Sequence, residues 1–253
     1  MLIFFIMFAL GLLIGFVGVG GSGVVIAILN VAFNVPIHTA LGTALGAMGF
    51  TTLAGSISHF REGNVAVKYG LAVGILGAVG AYVGVKIATM LPDDALTRLT
   101  AYMLFLAAGL LCYRMFFSRS HASSHLNNKI RRKGLNFWAP AAGVGLVAGI
   151  LSGAFGIGAA PFIQLGLLVF FKLSLPEVAG TTMLVTLPIA LVGGLSYLRA
   201  GYLDMHLFIT VVIGLTSGTY IGAKFTRRFP PAVLKTVIVA TPVIAALLLL
   251  FGS

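Results

Sequence analysis

Displaced by about 138 residues, this 253-residue chain registers with itself without a gap. Gly11, Gly15, Gly18 and Gly20 fall on Gly149, Gly153, Gly156 and Gly158. Gly42-Thr43 falls on Gly180-Thr181, and Ser58, Arg61 and Gly63 fall on Ser196, Arg199 and Gly201. Gly80, Tyr82, Gly84 and Lys86 fall on Gly218, Tyr220, Gly222 and Lys224, and Pro92 and Leu96 on Pro230 and Leu234. A bias toward Gly and Leu explains isolated matches. It does not explain Tyr-x-Gly-x-Lys, Arg-x-Gly and Gly-Thr in one ungapped frame. The chain is one structural unit made twice, and its fold must accommodate two copies packed together. The units are 1–117 and 137–253, joined by a polar, basic linker at 118–136.

Each unit has the same plan. A long apolar run (about 2–34, and 139–171) is interrupted by glycines. Three further runs follow at about 38–58, 66–90 and 95–116, then 176–196, 205–226 and 232–251. Runs of about 20 residues suffice to cross hydrocarbon as helices. Composition agrees: 59% of residues are hydrophobic, 8% are charged and the mean hydropathy is +1.10, against about 25% charged in soluble domains. The runs are too long for the roughly 10-residue alternating strands of a membrane barrel. The expected class is an all-α polytopic membrane protein in a multi-pass arrangement, with the lipid bilayer as its solvent.

The net charge of +11 is read as membrane topology. Lys and Arg collect on the cytoplasmic side, and no basic face with interleaved aromatics suggests nucleic acid. The single Cys112 lies in an apolar run and says nothing of redox compartment. The start, Met-Leu-Ile-Phe-Phe, lacks a basic leader region and belongs to the repeat, so retention is expected. Trp138, beside the linker, suits an interfacial anchor. His121 and His125 have no acidic or Cys partner nearby, so neither a metal nor a cofactor is expected.

The interrupted first run carries the most information. It reads Gly18-Val-Gly-Gly-Ser-Gly23 in one unit and Gly153-Ala-Phe-Gly-Ile-Gly-Ala-Ala-Pro161 in the other. Each Gly costs a helix about 1 kcal/mol against Ala and permits positive φ. A broken helix is expected at both places, with Pro161 in the first turn of the restart, where no amide donor is needed. Gly11, Gly15, Gly149 and Gly153 suit close helix packing instead. Irregular backbone inside a bilayer persists only where protein or a water-filled cavity covers it. Half-helix N-termini then offer free amides to an anion, and paired breaks in two repeats point to a transporter's substrate site.

Charge also bears on orientation. Four simple crossings per unit would put the linker and the cluster Lys224, Arg227, Arg228 and Lys235 on opposite sides, against the positive-inside tendency. A hairpin in the first run gives each unit an odd number of crossings. The units are then inverted repeats, each with a broken or hairpin first element and three transmembrane helices. The linker and the 224–235 cluster face the cytoplasm, and both termini face outside.

The Gly-rich broken element followed about twenty residues later by Gly-Thr, twice over, resembles the TauE/SafE sulfite exporter family of membrane permeases. Gly15 to Leu45 and Gly153 to Leu184 carry the resemblance best, and His59 to Val65 and Tyr197 to Asp204 extend it. It implies movement of small sulfur-containing anions such as sulfite, sulfoacetate or related organosulfonates across the cell (inner) membrane, with coupling to protons or to the membrane potential. Two positions depart from the pattern: Ala66 stands where the second half has Asp204, and Ser22 is matched by Ala160.

An oxyanion needs convergent N–H and O–H donors. The expected substrate-binding set is Gly20, Gly21, Ser22 and Thr43 with Gly158, Ala159, Gln164, Thr181 and Thr182. Helix N-capping is an equal explanation of Thr43 and Thr181. Asn30 is a weaker polar candidate. His59, paired with Tyr197 by the repeat, is a candidate for proton coupling, although an interfacial histidine is the simpler reading. Arg61 and Arg199 suit lipid head groups, and Lys86 and Lys224 suit snorkelling. No Asp or Glu falls in the middle of a run, which favours an anion-only site. A non-enzyme is expected, and a homo-oligomer is admitted. Two other readings stand beside the permease: an intramembrane serine protease built on Gly20-Gly21-Ser22-Gly23, which needs a His against Ser22, and an anion channel.

Overall fold

The computed structural model describes residues 2–17, 22–113, 135–225 and 231–252. Gly20 and Gly21, the linker from 118 to 134, and Arg227 and Arg228 lie outside the described residues. The elements are α1 (Leu2–Val17), α2 (Ser22–Ala27), which continues through a π turn (Ile28–Ala32), α3 (Ile37–Arg61), α4 (Val67–Thr89) and α5 (Asp93–Cys112). The second half contains α6 (Leu135–Phe155), α7 (Ala160–Phe171), α8 (Leu175–Arg199), α9 (Met205–Phe225) and α10 (Pro231–Phe251). No strand occurs among the described residues.

The helices recur at the spacing of the sequence repeat. Under the same displacement α3 and α8, each of 25 residues, coincide at both ends, and α4 and α9 start at equivalent residues. Among the described residues, five helical segments are long and apolar enough to cross a membrane: Ile37–Arg61, Val67–Thr89, Asp93–Cys112, Phe137–Phe155 and Pro176–Arg199. Ile75, Val79, Leu191, Leu195, Ile209 and Ile213 are exposed. Such an aliphatic outer surface is unfavourable in water and suited to lipid. The acids lie at helix ends: Asp93 and Asp94 in the first turn of α5, Glu177 in that of α8, and Glu62 just after α3. Asp204 Oδ1 accepts from the His206 and Leu207 amides at the start of α9 (2.8 and 3.0 Å). Carboxylates at N-termini oppose the positive dipole end.

Glycine sets how the halves meet. A Cβ on Gly80 would lie 2.5 Å from the Leu146 carbonyl oxygen, and one on Gly145 2.5 Å from that of Val73. Cβ atoms on Gly149 and Gly153 would collide with the Gly77 and Ala81 carbonyls. So α4 and α6 lie side by side, parallel, with their backbones in contact. The equivalent pair does the same: Gly11 of α1 meets the Leu215 carbonyl of α9, and Gly218 meets that of Phe8. Each half's first helix is thus fastened to the fourth helix of the other half.

At the centre α3 packs on α8. Gly42 lies against Tyr197, Gly49 against Leu191, Gly55 against Met183, and Gly180 against His59. The partner numbers fall as the α3 numbers rise, so these two equivalent helices run antiparallel. Reciprocity holds in detail: Gly42 packs on Tyr197 and the Tyr202 carbonyl, and Gly180 on His59 and the Asn64 carbonyl.

Candidate functional site

The second interruption is a sharp reversal. α6 ends at Phe155, where the Gly156 amide still bonds the Ser152 carbonyl (2.8 Å). Gly156, Gly158 and Ala159 then take φ of +64°, +69° and +45°. Gly adopts this region without steric cost. Ala159 does not, and a non-Gly residue held there, fully buried, is the kind of stored strain that clusters at functional sites. α7 restarts at Ala160 with Pro161 in its first turn. It runs back along α6: a Cβ on Gly166 would lie 2.6 Å from Val144. Its end returns to the start of α6, where the rings of Tyr69, Phe137 and Phe171 gather with centroids 5.1 to 5.9 Å apart. The first element of this half is therefore a hairpin. α7 has 12 residues, about 18 Å of rise, against about 30 Å of hydrocarbon.

The break of this half meets the start of α2 in the other. A Cβ on Gly158 would lie 3.7 Å from Ser22 Oγ, at the start of α2, and 2.6 Å from Met48 Sδ on α3. Gly156 sits against Leu41 of α3 and Ile26 of α2. Ser22 is buried, and its hydroxyl has no hydrogen-bond partner among the described residues. No backbone carbonyl is bonded by the Ile157, Gly158 or Ala159 amides among the described residues, and the first turn of a helix leaves its amides without intrahelical acceptors. Backbone that alternates into the left-handed region with free N–H groups forms an anion-receptive concavity. Gln164, one turn into α7, is buried. The structure thus brings together Ser22, Gly158 and Ala159, with Gln164 on the same short helix.

The threonines are arranged differently. Thr181 Oγ1 accepts the Ala66 amide of the other half at 2.9 Å. It fulfils a capping role across the halves, at the start of α4, where Ala66 has no side chain equivalent to Asp204. The Thr182 hydroxyl bonds the Val178 carbonyl of its own helix (2.7 Å). Thr43 is fully buried, and its hydroxyl has no partner among the described residues. At 100° per residue it lies on a face of α3 turned well away from Leu41 and Met48. Asn30 Nδ2 donates to the Val35 carbonyl (3.0 Å) at the end of the π turn. His59 lies in the last turn of α3, Nδ1 3.5 Å from Glu62 Oε2.

Sequence reasoning missed Ser152 and Met48. Ser152 is fully buried one turn before the break, its hydroxyl without a partner among the described residues. Its repeat partner is the apolar Ile14, so the comparison of halves hid it. Met48 was hidden by being one more apolar residue on α3.

Comparisons with known proteins agree with this architecture. The family model for "Sulfite exporter TauE/SafE" matches residues 3–249. The chain is 48% identical over 251 residues, 99% of its length and all of the other's, to the probable membrane transporter protein YdhB of Bacillus subtilis (strain 168). It is 24% identical, over 95% of each chain, to the probable membrane transporter protein YjnA of the same organism. A probable membrane transporter protein of Xylella fastidiosa (strain 9a5c) is 26% identical over 88% of this chain and 81% of its own. No solved structure matches. A duplicated bundle of apolar helices, fractured in its first element, and a family match over nearly its whole length make one conclusion: the chain is a multi-pass membrane transporter that belongs to the TauE/SafE sulfite exporter family.

Proposed function

We propose that this transporter carries small anions, of the sulfite or organosulfonate type, by alternating access, with its binding site where the α6–α7 break meets the start of α2. The observation that carries this reading is the run Gly156–Ala159, three of its four residues in the left-handed region, beside the unpartnered Ser22 hydroxyl. Amides and hydroxyls bind an oxyanion without a buried fixed cation, and so without the desolvation that a cation demands. Removing one such donor costs about 1–3 kcal/mol. Ser22→Ala and Ser152→Ala should therefore weaken sulfite or sulfonate binding about 5- to 150-fold in purified protein that stays monodisperse. Thr181→Val should leave affinity within about 2-fold and lower the unfolding temperature, because it orphans the Ala66 amide. Unchanged affinity in both serine variants would move the site elsewhere.

We further propose that the halves are inverted repeats in the cell membrane, with the linker cytoplasmic. The antiparallel course of α3 against α8 and the α6–α7 hairpin support this. Single cysteines in the loops at 86–98 and 224–235, labelled from outside intact cells, should react in the first loop only. Equal reactivity of the two loops would reject the arrangement.

A further inference from the structure

His38 is a buried titratable side chain of the bundle interior that the site does not use, being 5% exposed in the first turn of α3. Its Nε2 lies 3.0 Å from the Ala88 carbonyl oxygen at the end of α4. Its Nδ1 lies 2.8 Å from Asp93 Oδ1 in the first turn of α5. Its ring stacks on Tyr202, from the α8–α9 connection, with centroids 4.7 Å apart and planes 24° apart. The titratable groups on the ring are thus Asp93 and the Tyr202 phenol, and α4 offers a neutral carbonyl.

A carbonyl only accepts, so Nε2 must carry a proton. A neutral imidazole then has a lone pair on Nδ1, aimed at a carboxylate that also only accepts. A 2.8 Å contact between two acceptors is repulsive. A second proton between Nδ1 and Oδ1, whichever atom holds it, turns this contact into a hydrogen bond. The pair then carries one proton more than a neutral histidine and a carboxylate together.

We propose that His38 and Asp93 form a proton-binding site whose occupancy gates the anion pathway. The Asp93 side chain is 62% exposed, so the proton enters from water at Oδ1, rests on the pair, and leaves by the same path. When it leaves, either the Asp93 contact or the Ala88 contact must break, and α3 loses one of its two polar ties to the α4–α5 turn. The consequence reaches the site along one short stretch of helix. Leu41, one turn beyond His38, packs on Gly156 of the break, and Gly42 packs on Tyr197 and the Tyr202 carbonyl. His38 acts through α3 and is a positioning residue, not a substrate ligand. The gating arm rests on the anion-permease reading; the proton-site arm does not.

Two measurements test this. In proteoliposomes, wild-type anion flux should change at least about 5-fold between pH 5 and 8, the range in which histidine ordinarily changes charge. Flux by His38→Gln should change less than about 2-fold over that range. A His38→Gln profile that follows the wild type, or a wild-type flux indifferent to pH, overturns the gating. Independently, ¹⁵N spectra of histidine-labelled protein in detergent should contain one ring signal, absent from His38→Gln, with both nitrogens protonated at the acidic end of that range. Asp93→Asn, a change at an exposed position, should convert it to a singly protonated ring under the same conditions. A His38 signal that stays singly protonated at every pH overturns the proton site. Wild-type protein that moves no tested anion but shows the doubly protonated ring would remove the transport reading and leave the proton site standing.

Discussion

Gly158→Val is expected to lower anion flux at least about a hundredfold, a loss of about 2.7 kcal/mol, per molecule of correctly inserted protein. Two effects combine. The residue sits at φ +69°, where a β-branched side chain is a steric outlier at a cost of about 1–3 kcal/mol. Its Cβ would also lie 2.6 Å from Met48 Sδ, with Ser22 Oγ only 3.7 Å away. The methionine can swing aside, but the valine then fills the space between the two half-sites. Gly143→Val, where a Cβ meets nothing within 4 Å, should keep wild-type flux. Gly158→Ala combined with Met48→Ala separates the effects, because it relieves the clash and keeps the backbone penalty. Partial recovery of flux is expected there. Full flux in Gly158→Val would show that the break is structural and that the anion passes elsewhere.

Much of this architecture was legible in the sequence because it is written in glycine and in repetition. The interruption at Gly156–Ala159 and the packing role of Gly11, Gly149 and Gly153 follow from the absence of a Cβ, and the restart at Pro161 from the absence of an amide hydrogen, all local properties. The hairpin followed from counting basic loops, which is also nearly local. What the sequence could not carry was the partner of each polar side chain. Thr43 and Thr181 are equivalent in the repeat, yet Thr181 caps α4 through Ala66 while the Thr43 hydroxyl has no partner among the described residues. The difference lies far along the chain from either threonine, at the exchange of Ala66 for Asp204. His38 and Asp93 have no neighbouring pattern that joins them. They meet only because the α4–α5 turn folds over the start of α3, and their repeat partners are Pro176 and Pro231, so the duplication gave no hint of the pair.

The joint between the halves gives the second large effect. Gly149→Leu should sharply lower the yield of monodisperse protein, with a destabilisation of about 3 kcal/mol or more, the upper end for overpacking. The reason is the kind of atom in the way. A Cβ on Gly149 would collide with the main-chain carbonyl of Gly77, not with a side chain. No rotamer change relieves that contact, so α4 and α6 must separate along their length. Close backbone approach is what small residues provide in membrane helices, where burial against a neighbour replaces lipid and not water. The repeat supplies an internal comparison. Gly11 is the equivalent residue, and its Cβ would lie 2.6 Å from the Leu215 carbonyl oxygen. That joint is slightly looser, so Gly11→Leu should be harmful but milder. Gly143→Leu, on the open side of α6, should be neutral. The expected order in detergent-solubilised thermal unfolding is Gly149→Leu below Gly11→Leu below Gly143→Leu. Because α6 leads directly into the break, separation from α4 also displaces Gly156–Ala159, and flux should fall in the same order as stability. A Gly149→Leu protein as stable as Gly143→Leu would mean that the spacing of α4 and α6 is not set by the missing side chain.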